Sequence, residues 1–208
     1  MTELGVYPGD PNLSGGRDCL NFANTVGGHR PARPREYLNN YSDLLAWSRH
    51  TNILSDADVQ RLADEAECRP AEAAQVLARA VTLREAIYQI FSAVAGGEAA
   101  PEADLATLNT ILGEALARLQ IMPSTPSFTW TWRRDETALD SMLWPVARSA
   151  GELLTSAELE RVRECAGDTC SWLFIDTSRN HTRRWCDMKD CGNRAKARRH
   201  YARSRARN

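Results

Sequence analysis

The chain has 208 residues, of which 43% are hydrophobic and 25% charged, and a net charge of −1. That is the composition of a soluble globular protein with room for one substantial domain and one small one, and it excludes a disordered or fibrous chain. No apolar run reaches the roughly 18–20 residues of a membrane span. MTELGVYPGDPNLSGG lacks the basic start and apolar core of a secretory signal, so the expected compartment is the cytoplasm, where thiols stay reduced.

In chain order, residues 1–16 read as a leading loop or short edge strand. RDCLNFANTV (17–26) puts Cys19, Phe22, Ala23 and Val26 on one face of a helix that Gly27 and Gly28 end. HRPARPREYLNN (29–40), with Pro31 and Pro34, is a loop. Ser42 is the expected cap of the next helix, with Leu44, Leu45 and Trp47 inward. Ser55-Asp56-Ala57-Asp58 begins another, which ends before Pro70. Residues 71–95 carry the most sustained helical period, through Val76, Ala80, Leu83, Ile87, Ile90, Phe91 and Val94, and Gly96-Gly97 close it. Pro101 starts a helix with Leu105, Leu108, Leu112, Leu116 and Leu119 on one face. Phe128, Trp130 and Trp132 then alternate with Thr129 and Thr131 as a strand, paired with a shorter one near Leu119–Met122. Helix resumes over 136–154, where Pro145 bends it or divides it. Ser156 caps a connecting helix through AELERVREC.

The last fifth of the chain differs in charge and chemistry. Residues 161–208 hold 13 Lys and Arg against 5 Asp and Glu, a balance of +8, while residues 1–160 hold 13 against 22, a balance of −9. Cys165 and Cys170 form one C-x4-C pair and Cys186 and Cys191 a second, fifteen residues apart. Two such pairs at this separation are the pattern of a four-thiolate zinc site. Four thiolates close the coordination sphere and leave no position for a reacting water, so one structural Zn²⁺ is expected. A module this small has too little core to fold alone, and zinc supplies the difference. Beyond Cys191 a predicted helix carries Arg194, Lys196, Arg198, Arg199, Arg203, Arg205 and Arg207, with Ala195 and Tyr201 as its less polar positions. Arg179, Arg183 and Arg184 add charge before Cys186. A basic helix of this kind fits the major groove of duplex DNA, and a solvated tail is the plainer reading. No phosphate-binding glycine loop, nucleophile elbow or His-Glu metal motif is present, so no enzyme is expected.

CAGDTCSWLFIDTSRN and WCDMKDCGNRAKARRHYAR closely resemble the bacterial CGNR zinc-finger family. CLNFANTVGG, LLAWSRH, LREAIYQIF and FTWTWRR resemble the ABATE domain that commonly precedes that finger. The resemblance implies a stress-related transcriptional regulator with a ligand-sensing or oligomerising front domain. Asn21 stands where the family's usual form has Asp.

The expected architecture is thus a mainly α domain with a small β-hairpin over 1–155, then a treble-clef or ribbon-like zinc finger with a basic helix over 156–208. The expected role is zinc-dependent DNA binding as a homodimer, with a small ligand controlling the finger. The alternative is a protein-interaction or RNA-binding finger on a ligand-binding domain. Asn24, Thr25, Trp47, Arg84, Trp130 and Trp132 are the candidate pocket residues. Each has a plainer reading: the tryptophans as core, Asn24 and Thr25 as helix caps, Arg84 as the partner of Asp43 or Glu85. A further expectation sets the acidic front domain against the basic tail, masking it.

Overall fold

A computed structural model describes residues 7, 9, 13–29, 34–133, 135 and 137–205. Most of the leading segment, Pro31 and Arg207 lie outside the described residues. Five helices come first: α1 (Asp18–Ala23), α2 (Tyr41–His50), α3 (Asp56–Cys68), α4 (Pro70–Ala95) and α5 (Glu102–Leu116). The antiparallel hairpin of β1 (Leu119–Ser124) and β2 (Ser127–Trp132) follows, then α6 (Leu143–Leu154). A 3-10 turn, Ala157–Arg161, leads into β3 (Val162–Glu164), which pairs with β4 (Leu173–Ile175). A wide turn at Met188–Gly192 opens α7 (Asn193–Arg205).

Helix boundaries follow from caps and prolines. Ser55 accepts a hydrogen bond from the Asp58 N–H and starts α3 as expected. For α2 the cap is Asn40, two residues ahead of the expected Ser42. Asn40 has the extended backbone a cap needs, and its side chain accepts from Asp43 N, while the Ser42 hydroxyl donates to Asn40 Oδ1. Pro70 opens α4 where no N–H is required. Pro145 falls in the first turn of α6, so it begins that helix instead of bending it. α1 stops at Asn24, short of the glycines, because Val26 leaves to form a bridge with Glu36.

α4 is the central element, touching α1, α2, α3, α5, α6 and the β3–β4 pair. Its Leu83, Ile87, Ile90 and Phe91 are fully buried among Leu20 and Phe22 of α1, Leu44 and Trp47 of α2, Leu108 of α5 and Val146 of α6. Burying each such side chain stabilises the fold by roughly 1.5–3 kcal/mol.

The connecting helix expected through AELERVREC lasts only one 3-10 turn. From Val162 the chain is strand, because Val162 pairs with Ile175 and buries its side chain in the same core as α4. β4 then divides its side chains by strand alternation. Leu173 and Ile175 join the main core, and Phe174 joins a second cluster with the four cysteines, Trp172 and Trp185.

Candidate metal centre and basic helix

The first cysteine pair sits on a tight turn beyond β3. Cys165 N donates to Trp172 O at 2.9 Å and Cys170 N to Gly167 O at 3.1 Å. Gly167 keeps the turn open toward the sulfurs. A Cβ there would stand 3.1 Å from Cys170 Cβ, 3.5 Å from Cys191 Sγ and 3.6 Å from Cys165 Sγ. The second pair sits on the turn before α7, which Asp187 caps through the N–H groups of Lys189 and Asp190.

All four sulfurs lie within 4.8 Å of one another. Cys170 and Cys186 are 3.8 Å apart and Cys186 and Cys191 3.7 Å. Disulfide sulfurs would be about 2.05 Å apart, whereas tetrahedral zinc with sulfurs at about 2.3 Å spaces them about 3.8 Å apart. The cluster therefore fits one zinc ion. Sulfurs this close share protons unevenly. Hydrogen bonds from Cys170 and then Cys186 pull the Cys165 thiol down, and those to Cys165 push Cys170 and Cys186 up. A dication among them would hold all four as thiolates.

Backbone and side-chain donors surround the sulfurs, the backbone of Gly167 and Cys186 at Cys165 among them. Trp172 N is 3.5 Å from Cys170 Sγ, and Arg194 Nη2 is 3.1 Å from Cys191 Sγ.

A family model for ABATE, described as "Putative stress-induced transcription regulator", matches residues 16–157, and a model for the CGNR zinc finger matches residues 161–204. The chain belongs to the ABATE family. Its finger is of the CGNR type, the four named residues being Cys191, Gly192, Asn193 and Arg194. Both descriptions are regulatory or zinc-binding rather than enzymatic. Comparison with curated proteins found no match.

The basic residues of the CGNR finger divide by position. Arg183 turns inward: its guanidinium donates to the carbonyls of Trp185 and Cys186 and lies 4.5 Å over the Phe174 ring. Arg194 is held between Cys191 and Asp190. Arg198 pairs with Asp168 at 3.1 Å and ties α7 to the first cysteine turn. Arg184 and Arg199 are exposed and lie 5.6 and 6.0 Å from the Trp185 ring. Arg179, Lys196 and Arg203 are exposed and make no ion pair with any described residue. In α7 only Ala195 is half-buried, and Tyr201 is 70% exposed. Among the described residues, α7 thus buries no side chain against the acidic front domain, where the masking expectation would require it to.

The ABATE domain grips the finger by hydrogen bonds that local sequence patterns do not reveal. Asn24 Nδ2 donates to Leu173 O and Leu173 N donates to Asn24 Oδ1, each at 2.9 Å. The Trp172 indole donates to Val26 O, and Ile175 N donates to Gly15 O. Gly15 N in turn donates to Asn21 Oδ1. An Asp at position 21 could accept the same bond. Gly28, at φ +101°, backs onto the first cysteine turn, and a Cβ there would stand 2.7 Å from Thr169 O. His29 N donates to Ser171 Oγ, while the His29 ring stacks on Tyr88 and meets Glu85 at 3.1 Å.

The six candidate pocket residues do not line one cavity. Asn24 is engaged with β4, and Thr25 Oγ1 donates to Phe22 O. Trp47 is core, 4.9 Å from Phe22. Arg84, 3% exposed, holds Glu36 by two bonds of 2.6 and 2.8 Å and also reaches Glu85 and Thr25 O. Burial works against charge on Glu36, but the Arg84 bonds outweigh it and hold that carboxyl below the usual range. Trp132 lies 6.0 Å from Trp144, and Trp130 projects from the hairpin under Arg148. The clues available in sequence were Trp172, two residues after Cys170, Trp185, directly before Cys186, and the two glycines that follow Val26. None of them names its distant partner.

Proposed function

We infer that this protein is a DNA-binding transcription regulator whose zinc site fixes α7 for contact with duplex DNA. The observation that carries the reading is α7 itself. It has thirteen residues, six of them Lys or Arg and none acidic, and it buries no side chain. A short helix that is polar on every side gains little from packing. A polyanion supplies what packing does not, and an isolated helix is the shape the major groove admits. Zinc, the Asp168–Arg198 pair and Arg194 at Cys191 set the angle at which the helix leaves the finger.

One basic helix reads few base pairs, so the protein acts as a homodimer on two half-sites. The β1–β2 hairpin supports this. Cross-strand pairs Leu119–Trp132, Ile121–Trp130 and Pro123–Phe128 put all its apolar residues but Met122 on one face, with Phe128 72%, Ile121 58% and Trp130 55% exposed. Two-stranded hairpins are marginal without something to cover them. Control by a small ligand would reach α7 through the Asn24, Val26 and His29 contacts.

The test is fluorescence anisotropy on duplex DNA across a salt series. Lys196→Ala, Arg199→Ala and Arg203→Ala leave the cysteine contacts intact. Each should weaken binding and reduce the slope of log K against log salt by about 1. Unchanged affinity in the triple variant would remove α7 from the interface. Stronger competition by single-stranded RNA than by duplex would favour an RNA-binding finger.

A further inference from the structure

By sequence, Arg194 belongs with the arginines expected to reach DNA. Its contacts direct it elsewhere. Nη2 lies 3.1 Å from Cys191 Sγ and 3.2 Å from Asp190 Oδ2. The i,i+4 pairing with Asp190 draws the guanidinium back over the start of α7, where the sulfur is. The two residues between Cys191 and Arg194 serve the same turn. Gly192 is buried, and a Cβ there would stand 3.0 Å from Met188 Sδ. Asn193 Nδ2 donates to Lys189 O at 2.9 Å and closes the turn. Arg198, paired with Asp168, holds α7 to the first cysteine turn, so the backbone that carries Arg194 is fixed as well.

Cys191 has need of such a donor. Four thiolates around one dication leave negative charge in excess. Cys191 is 2% exposed, so water can do little to solvate its share. The backbone N–H groups at Cys165 and Cys170 are neutral. Arg194 brings a full positive charge into contact, and a charge-assisted hydrogen bond is roughly twice as strong as a neutral one. A thiolate bound to zinc keeps lone pairs that can accept it.

We propose that Arg194 is a positioning residue of the zinc centre, which donates to the Cys191 thiolate, holds that sulfur toward the metal and lowers its reactivity. Removing a residue that supports a metal ligand in this way weakens metal affinity by about 10–100-fold. The Arg194 side chain is 52% exposed, and water screens exposed charge, so it acts through the contact itself rather than at range. The inference rests on the zinc site alone and stands or falls separately from the DNA-binding reading.

Cobalt(II) is a suitable probe, because thiolates bound to it give a sulfur-to-metal charge-transfer absorption. In the full-length protein, Arg194→Gln should weaken cobalt affinity by about tenfold or more in competition with a chelator. At saturating cobalt its charge-transfer band should move to longer wavelength, since a thiolate without its donor gives up electron density more readily. Alkylation by N-ethylmaleimide should become faster at Cys191, read by mass spectrometry of the digested protein. Lys189→Gln is the control. Lys189 is exposed on the same turn and its side chain meets no sulfur among the described residues, so that variant should change neither affinity nor band. Unchanged affinity and band in Arg194→Gln, or an equal loss in Lys189→Gln, overturns the proposal. Should Arg194→Gln take up no cobalt at all, Arg194→Lys decides: it keeps a charged donor and must bind the metal, and a lysine variant equally without metal overturns the proposal too.

Discussion

Replacing Asn24 with alanine separates a structural clamp from a ligand contact. The Asn24 side chain satisfies both the N–H and the C=O of Leu173, at 2.9 Å each, in a place where Asn24 is 1% exposed and Leu173 fully buried. Alanine removes both bonds and leaves both backbone groups without that partner. A buried group stripped of its partner costs about 1–3 kcal/mol. With some relaxation the expected loss is about 2–4 kcal/mol, a large share of the 5–15 kcal/mol typical of a domain. The assay is urea unfolding followed by tryptophan fluorescence in saturating zinc, with the midpoint falling and the slope unchanged. Asn24→Asp provides the control. A carboxylate can accept from Leu173 N but only repels Leu173 O, so it should recover part of the stability at most. A loss below about 0.5 kcal/mol for Asn24→Ala, a scale typical of surface changes, would refute the clamp and return Asn24 to the candidate pocket.

Two further outcomes follow from the packing. Glu36 and Glu85 are both held below the usual carboxylate range. In each case burial opposes the charge and is outweighed, for Glu36 by Arg84 and for Glu85 by His29 and Arg84. Depressed folded-state values mean that the unfolded chain takes up protons first. Their stabilisation is complete above the unfolded value of about 4.3 and is lost as pH falls through the lower folded values. The stability difference between wild type and Glu36→Gln should therefore hold from neutral pH down to about 4.3 and shrink below it, and a difference that stays constant as pH falls below about 4.3 would count against the Arg84–Glu36 pair. Phe128→Ser with Trp130→Ser should leave the thermal midpoint nearly unchanged, because both side chains are exposed, yet shift sedimentation toward monomer. A dimer that persists in that variant places the self-association surface elsewhere.

The cysteine spacing and the basic run were legible because both are local. Four thiols in two short turns define a metal site whatever surrounds them, and thirteen consecutive residues without an acid announce their charge directly. The helices were legible for the same reason, since apolar periodicity reports a face to be buried. Boundaries were less so. Asn40 and Ser42 are equally good caps by composition, and only the backbone angle at Asn40 decides between them.

What tertiary structure alone decided is which groups face each other across long separations. RVREC satisfies a helical or an extended pattern, and pairing with Ile175 made it strand. Arg183 and Arg203 look alike in a basic stretch. Phe174 and two backbone carbonyls hold the first, while solvent surrounds the second. Arg84 broke the apolar pattern of α4 and so signalled a buried charge, but its main partner, Glu36, lies 48 residues away. Asn24 carried no such signal, and its partner is 149 residues off. The sequence by itself determined the zinc chemistry and the charge of the helix beyond it. Only the assembled core, which brings α1 and α4 against β3 and β4, decided how that finger is held.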